Sequence, residues 1–172
     1  MTMKIDRRQL MALGTFGLGA LSVPASAALI RARGFSHGVA SGEPSSGSVL
    51  LWTRYVGNGD VKLTAEISPN AEFSGAKISG EVEALADRDH IAKITAQGLD
   101  PDSWYFYRFI APDGSKSMVG RTRTLPEGPT AQFNLGVVGC SNLPFGYFNA
   151  YAHAAQNRAL DLMVHTGDYI YE

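Results

Sequence analysis

Three residues near the end of the chain carry sulfur and oxygen groups that could bind a metal ion. Cys140, Asp168 and Tyr171 offer a thiol, a carboxyl and a phenol, and residues 167–171 match the pattern G-D-x-x-Y. In that pattern the glycine permits a tight backbone turn, and the aspartate can bridge two cations. Ionising a phenol, whose pKa is ordinarily about 10, needs a strongly polarising cation, so the set suits a ferric ion.

Each of the three residues also has a simpler interpretation. Asp168 could cap a turn, Tyr171 could pack as an ordinary aromatic, and Cys140 could be a small buried residue. Cys140 is the only cysteine in the sequence, so an intramolecular disulfide is excluded. For each residue alone the simpler interpretation is preferred, but three such residues at one strand edge make metal binding the better interpretation.

Two apolar segments and a helix between them would bring these residues together. Residues 133–138 and 161–165 are apolar without alternation, which predicts strands buried on both faces, and residues 145–160 have a helical apolar stripe. Strands joined by a helical crossover are parallel, and ligands gather at their carboxyl ends. Because Cys140 follows the first strand and Asp168 the second, we expect them at the same edge.

Residues 34–125 have the alternating pattern of an antiparallel β-sandwich. Val61, Leu63, Ala65 and Ile67 alternate with polar residues, which is typical of a strand that covers a core on one face. Further strands are predicted at residues 48–55, 90–96, 104–111 and 118–124.

Aromatic residues of this module are interpreted as structural. Residues 99–107 resemble the tyrosine corner of fibronectin type III domains, with Tyr105 bonding back to the preceding loop, and Trp52 and Tyr107 are predicted in the core. Solvated surface or local pairing is expected for three other candidates for anion binding, His37, Arg121 and Arg123.

The start of the chain has the order of an export signal. Basic residues including Arg7 and Arg8 precede an uncharged run at 10–23, and Ala-Ser-Ala at 25–27 predicts cleavage after Ala27. The arginine pair favours a twin-arginine signal, used by the twin-arginine translocation machinery; an ordinary secretory signal is the alternative. The run is short for a stable membrane span, so we expect a periplasmic or secreted protein, or an anchored one if the signal stays uncleaved.

The composition of the sequence and the positions of its prolines and glycines predict four segments. With 45% hydrophobic residues and a net charge of -1, the chain can form a core but has no basic footprint for nucleic acid. Two prolines and a glycine at 124–129 predict a domain boundary. We therefore predict a signal at 1–27, a fibronectin III-like domain at 28–125, a linker at 126–131 and the start of a second domain at 132–172.

Several stretches together resemble one known family. They are residues 35–44 (FSHGVASGEP), 51–54 (LWTR), 105–108 (YFYR), Cys140 and 165–172 (HTGDYIYE). These stretches resemble the N-terminal portion of the alkaline phosphatase D family, in the calcineurin-like metallophosphoesterase superfamily. The resemblance implies a mainly β chain, in which a fibronectin type III-like β-sandwich precedes the first β-α-β unit of an α/β/β/α metallophosphoesterase domain.

The resemblance also implies an activity and a set of ligands. The family hydrolyses phosphate esters, as alkaline phosphatase and phosphodiesterase, with ferric iron and calcium as cofactors. Cys140, Asp168 and Tyr171 fall on family metal ligands, with Asp168 as the bridge. The family usually has glutamine after its cysteine, whereas Ser141 stands here, and His165 is expected to be structural.

Two expectations concern what this chain does by itself. The later G-N-H/D and G-H-x-H ligand motifs of the superfamily do not occur in these 172 residues, so we expect a truncated chain without a complete active site. The alternative is a secreted fibronectin-like binding module with an inert C-terminal remnant. That alternative leaves Cys140, Asp168 and Tyr171 without a role.

Overall fold

Seven strands form two antiparallel sheets. The computed structural model describes residues 33–142, 148–169 and 171. In chain order the strands are β1 (Val39–Gly42), β2 (Ser48–Arg54), β3 (Val61–Ser68), β4 (Lys77–Ala84), β5 (Ile91–Gln97), β6 (Trp104–Ile110) and β7 (Gly120–Arg123). One sheet has the order β1-β2-β5 and the other the order β4-β3-β6-β7. The described part of the chain is therefore mainly β, as predicted.

Alternating side chains from the two sheets form a single core. In β3, Leu63, Ala65 and Ile67 are buried while Lys62 is exposed, as the sequence pattern predicts. The opposite sheet contributes Val49 and Leu51, both almost fully buried. Removing this apolar surface from water is what holds the two sheets face to face. The largest fully buried side chains are Tyr107, Phe109, Leu51 and Leu63.

Trp52 and two strands differ from the predictions. Trp52 was expected in the core, but it lies on the outer face of β2, where burial alternates and Leu51 and Thr53 point inward. Strands β1 and β4 were not predicted from the sequence. Gly80 interrupts β4 opposite a register shift between Ala65 and Glu66, and a glycine inside a strand weakens the sequence signal.

The predicted tyrosine corner is confirmed. The Tyr105 hydroxyl accepts the Asp100 backbone N–H at 2.8 Å and donates to the Asp100 carboxylate at 3.2 Å. The Thr124 hydroxyl donates to the Asp100 carbonyl at 2.6 Å and accepts the Ser103 N–H at 3.0 Å. These bonds tie the loop before β6 to the end of β7.

A second, smaller segment follows the sandwich. It consists of β8 (Leu135–Val138), α1 (Asn149–Gln156) and β9 (Leu162–His165), and β8 pairs with β9 in parallel. The helix ends at Gln156 rather than at the predicted residue 160, because Asn157 adopts an extended conformation. The predicted helix start at residue 145 lies outside the described residues.

The prediction that β8 and β9 are buried on both faces is wrong. Leu135 and Val137 are 51% and 59% exposed, and Leu162 and Val164 are each 38% exposed. Leu135 is opposite Leu162, and Val137 is opposite Val164, so the four side chains share one face. In the described part of the chain no element covers that face. An apolar run shows that a strand can be buried on both faces, not that a covering layer is present.

The predicted export signal cannot be compared with this fold. Arg7, Arg8 and the cleavage site at Ala27 lie outside the described residues. Within residues 33–142 and 148–169, no helix is long and apolar enough to cross a bilayer. Residues 126–131 contain neither strand nor helix, and the domain boundary assigned there stays a prediction.

Candidate metal centre

The loops after β8 and β9 continue the pairing of the two strands. The Thr166 N–H donates to the Val138 carbonyl at 2.9 Å, and the Cys140 N–H donates to the Gly167 carbonyl at 3.3 Å. Cys140 and Asp168 have left-handed backbone conformations, with φ of 52° and 49°. Such conformations are uncommon for residues with a Cβ and concentrate at functional sites. Both side chains are thereby turned out of the strand pattern at the carboxyl edge.

The structure brings the three predicted site residues together. The Cys140 thiol donates to Asp168 Oδ2 at 3.1 Å, and the Tyr171 hydroxyl donates to the same oxygen at 3.1 Å. All three side chains are exposed at the carboxyl edge of the pair. A thiol, a phenol and a carboxylate therefore converge on one oxygen atom.

The hydrogen bonds at this edge shift two pKa values in opposite directions. The hydrogen bond from Cys140, and to a smaller extent the one from Tyr171, lower the pKa of Asp168 below its ordinary value. The pKa of Tyr171 is raised by its interaction with Cys140, by partial desolvation and by the bond to Asp168. The carboxylate is thus held charged and the phenol protonated, and a cation beside the phenol has to overcome that preference.

The donor set fits a strongly charged cation. Coordination would displace the thiol and phenol protons, which are the protons that now bridge to Asp168. Among the described residues there is no cluster of three His, Cys, Asp or Glu side chains that could hold a metal ion. A set of three ligands at this edge therefore has to include the Tyr171 phenol. The set would combine one soft thiolate donor with hard carboxylate and phenolate oxygens.

His165 supports the turn that carries Asp168. Its Nδ1 accepts the Gly167 N–H at 3.3 Å, and its Nε2 lies 2.9 Å from the Tyr151 hydroxyl. The Tyr151 hydroxyl lies 2.6 Å from the Ser141 hydroxyl in the loop after β8. Tyr151 therefore connects α1 to both loops at the carboxyl edge. The sequence analysis gave neither Tyr151 nor Ser141 a role, because a helical tyrosine and a loop serine carry no distinguishing signal.

Two arginines of β7 connect the sandwich to the second segment. Arg121 donates to the carbonyls of Asn157 and Arg158, each at 3.2 Å, and its guanidinium stacks over Trp104 at 4.4 Å. Arg123 forms ion pairs with Asp102 and with Asp161. A cavity of about 310 Å³ lies between these arginines and α1. Local pairing was among the expectations for Arg121 and Arg123, but their partners are distant in the sequence.

His37 is paired within the sandwich. Its Nδ1 lies 2.7 Å from the Ser36 hydroxyl and 3.3 Å from Arg54, whose guanidinium also pairs with Asp89 at 2.6 Å. This cluster lies at the surface. A salt-bridged arginine beside His37 is consistent with the local pairing expected from the sequence.

The described residues thus form a β-sandwich followed by a parallel strand pair, with sulfur and oxygen groups at the carboxyl edge of that pair. The chain belongs to the PhoD-like phosphatase family: the model of the family's N-terminal domain matches residues 22–126, and the PhoD-like phosphatase model matches residues 135–172.

Among individual proteins, the chain is similar to alkaline phosphatase D of Bacillus subtilis (strain 168). The two are 38% identical over an alignment of 150 residues, and the match covers 80% of this chain and 25% of that protein. A solved structure of PhoD is 36% identical, with a TM-score of 0.72, and the match covers 83% of this chain and 29% of that one. The chain thus spans about a quarter of the length of the curated relative it matches.

A fibronectin type III domain from a human protein is also similar in outline. It is 14% identical with a TM-score of 0.44, and the match covers 54% of this chain and 74% of that domain. This likeness is too weak to bear on fold or function.

Proposed function

We propose that this chain contributes metal ligands to a metal-dependent phosphoric ester hydrolase of the alkaline phosphatase and phosphodiesterase type. The ligands in this proposal are Cys140, Asp168 and Tyr171. The observation that carries the proposal is the convergence of the Cys140 thiol and the Tyr171 hydroxyl on Asp168 Oδ2, each at 3.1 Å. Membership in the PhoD-like phosphatase family supports the reaction class.

Asp168 is the residue best suited to bridge two cations. Hydrogen bonds from the described residues reach only its Oδ2, so its Oδ1 faces no protein donor there. Cys140 and Tyr171 would supply the other ligands from this chain. In the proposal the cations are ferric iron and calcium, which would polarise phosphoryl oxygens and lower the pKa of bound water. This chain's own residues hold and orient the cations, and none of them is assigned as general base.

A fibronectin-like binding module with an inert C-terminal remnant is the less favoured alternative. An inert remnant gives no role to the convergence of the Cys140 thiol and the Tyr171 hydroxyl on Asp168 Oδ2. The match of the PhoD-like phosphatase model to residues 135–172 also argues against it.

A titration with ferric iron tests the metal site. Thiolate or phenolate bound to ferric iron gives a visible charge-transfer band, which we expect in the wild-type chain. Asp168→Asn and Cys140→Ser should weaken binding, and Tyr171→Phe should remove the phenolate contribution to the band.

Tyr169→Phe is the matched control for the tyrosine variant. Tyr169 is 74% exposed and belongs to the same loop, but it does not bond to Asp168 in the structure. The control should keep the wild-type band. A band that survives Tyr171→Phe unchanged but disappears in Tyr169→Phe would contradict the ligand assignment.

We propose that the protein is exported to the periplasm or beyond by the twin-arginine translocation machinery. The support is the order of Arg7-Arg8, an uncharged run and the small residues before Ala28. Replacing Arg7 and Arg8 with lysine keeps the charge and removes the pair that this machinery reads. The double variant should accumulate as uncleaved precursor in the cytoplasm, measured by fractionation and intact mass. Normal export of the variant, with cleavage after Ala27, would instead indicate an ordinary secretory signal.

A further inference from the structure

An ion pair from the sandwich reaches the end of the β8–β9 pair that is opposite the metal site. Asp161 directly precedes β9, and only 4% of its side chain is exposed. Its carboxylate accepts the Asn134 backbone N–H at 2.8 Å and the Asn134 side-chain amide at 3.4 Å, and it pairs with Arg123 of β7. The positively charged Arg123 of the sandwich therefore contacts Asp161 at the start of β9.

Asn134 and Asp161 together fix where the two strands begin. The N–H groups of Asp161 and Leu162 both donate to the Asn134 carbonyl, at 3.0 and 3.4 Å. Pairing then runs from Leu135 opposite Leu162 to Val138 opposite His165. The same register aligns the loops beyond the strands, where the Cys140 N–H meets the Gly167 carbonyl.

The site at the carboxyl edge depends on this register. A slip of two residues would move one strand by about 6.6 Å along the other, since each residue advances about 3.3 Å. The 3.1 Å contact from the Cys140 thiol to Asp168 could not survive that shift. Burial cannot set the register strongly, because each strand has four residues and one face of the pair is exposed.

Arg123 makes the burial of the Asp161 carboxylate possible. A buried carboxylate without a cation is strongly unfavourable. Burial acts to raise the pKa of Asp161, but the Asn134 N–H and Arg123 outweigh it and lower the pKa overall. Burial likewise opposes the charge on Arg123, and its bonds to Asp161 and Asp102 outweigh that effect. Both groups are thus held in their charged forms.

We propose that the β-sandwich positions the metal site through Arg123. Arg123 neutralises Asp161, Asp161 and Asn134 fix the register of β8 against β9, and that register brings Cys140 to Asp168. Arg123 is a positioning residue and does not touch the ligands. The inference rests on the proposed function for the role of the metal, while the control of strand register does not depend on it.

The test compares three variants of the full chain by two measurements. The first is strand register without metal, reported by amide exchange of Thr166 and by the cross-strand nuclear Overhauser contact between Val137 and Val164. The second is ferric iron affinity from the charge-transfer band. Near-ultraviolet circular dichroism verifies that the sandwich remains folded.

Arg123→Met should impair both measurements. Leaving a buried carboxylate without its partner should reduce Thr166 protection and ferric affinity by about tenfold or more, and should weaken the Val137–Val164 contact. Adding Asp161→Asn should restore most of the loss, because asparagine still accepts the Asn134 N–H and carries no charge. If Arg123→Met unfolds the sandwich, Arg123→Lys is used instead, with a smaller loss in the same two quantities.

Arg108→Met is the matched control. Arg108 of β6 pairs with Glu66 at 2.8 Å, and its side chain is 20% exposed, as that of Arg123 is. Its partner lies in the sandwich, so this variant should leave Thr166 protection and ferric affinity unchanged. Equal losses in both arginine variants would indicate general destabilisation and overturn the proposal.

Two further outcomes separate this inference from the proposed function. If Asp161→Asn fails to restore the Arg123→Met variant, the register is not controlled through the Arg123–Asp161 charge pair, and the inference is wrong. If the wild-type chain binds no ferric iron but its register responds as expected, the metal assignment fails and the positioning of the strands by Arg123 stands.

Discussion

Gly120 is a residue whose importance follows from its neighbour Tyr107. A Cβ at Gly120 would lie 2.3 Å from Tyr107 Cζ, well inside van der Waals contact. Tyr107 is only 2% exposed, and burial raises the pKa of its hydroxyl to about 12, although a hydrogen bond with Ser41 acts in the opposite direction. The missing side chain at Gly120 is what lets this large aromatic lie flat against β7.

Gly120→Ala should therefore destabilise the sandwich. The added methyl group forces Tyr107 or the backbone to move, at a cost of about 1–3 kcal/mol in the free energy of unfolding. Urea denaturation followed by tyrosine and tryptophan fluorescence measures this change. Gly42→Ala in β1 is the control, since a Cβ there meets no atom within 4 Å. Equal effects from the two changes would indicate that strand glycines matter here only for their backbone.

The Tyr105 hydroxyl should contribute measurably to stability. Tyr105→Phe leaves the Asp100 N–H without the partner it has at 2.8 Å, and Tyr105 is only 8% exposed. We expect a loss of about 1–2 kcal/mol in the free energy of unfolding. Tyr55→Phe is the control, because its hydroxyl reaches Asp113 only at 3.5 Å, and it should change stability far less. An unchanged urea midpoint for Tyr105→Phe would contradict this role of the corner.

The residues that sequence reasoning could find are those with a local signature. Tyr105 follows a turn at a fixed spacing, and Cys140 and Asp168 each follow an apolar run, so the structure has them where the sequence analysis expected them. The Arg123–Asp161 pair has no such signature, because 38 positions separate the partners and an ion pair imposes no period on the sequence. The role of Cys140, Asp168 and Tyr171 as metal ligands stays a prediction.

At the scale of elements, the attachment of the second segment should depend on pH through Asp161. Its pKa is lowered in the folded chain, so its charged form stabilises that state above its unfolded pKa of about 3.9. This contribution is lost as the pH falls through the lower folded value. The groups that contact its carboxylate are Arg123 and Asn134, and Arg123 also pairs with Asp102.

Asp161→Asn should remove that part of the pH dependence. We expect the wild-type chain to be more stable than the variant near neutral pH, and the difference to shrink as the pH falls below about 4. Urea midpoints measured for both proteins across that range give the comparison. A stability difference that stays constant down to strongly acidic pH would mean that Asp161 contributes through shape rather than charge.

Strand prediction succeeded where the local pattern was complete and failed where it was not. The bounds of β2, β3, β5 and β6 agree within about two residues with the predicted segments. β3 alternates cleanly, and β2 and β6 are rich in β-branched or aromatic residues. The short β1 and the glycine-containing β4 gave no comparable signal. The burial of β8 and β9 was overestimated because it depends on neighbouring layers, which a strand's own sequence does not describe.

For the whole molecule, the exposed apolar face of β8 and β9 should dominate its solution behaviour. Leu135, Val137, Leu162 and Val164 form a contiguous patch, and patches of this kind promote association. Val137→Lys with Val164→Lys should lower dye binding by apolar surface and reduce self-association in light scattering. The double variant should keep the urea midpoint of the sandwich.

Met118→Lys provides the comparison for that double variant. Met118 is 63% exposed and lies between β6 and β7 of the sandwich, with its sulfur next to Gly38. The Met118→Lys variant adds a charge but leaves the β8–β9 patch unchanged. Dye binding and self-association should therefore stay close to those of the wild-type chain. If Met118→Lys reduces association as strongly as the double variant does, added charge rather than the β8–β9 face is responsible.

Strand β7 also limits how this protein could be recombined with others. Thr122 faces the sandwich core at 7% exposure, while Arg121 and Arg123 on either side of it point to the second segment. A one-residue insertion in β7 would exchange these faces and turn both arginines inward. A foreign sandwich grafted before residue 132 would therefore need arginines at alternate positions of its last edge strand. Exchanging the sandwich therefore requires that the last strand present the same residues on the same face, in addition to a correct domain boundary.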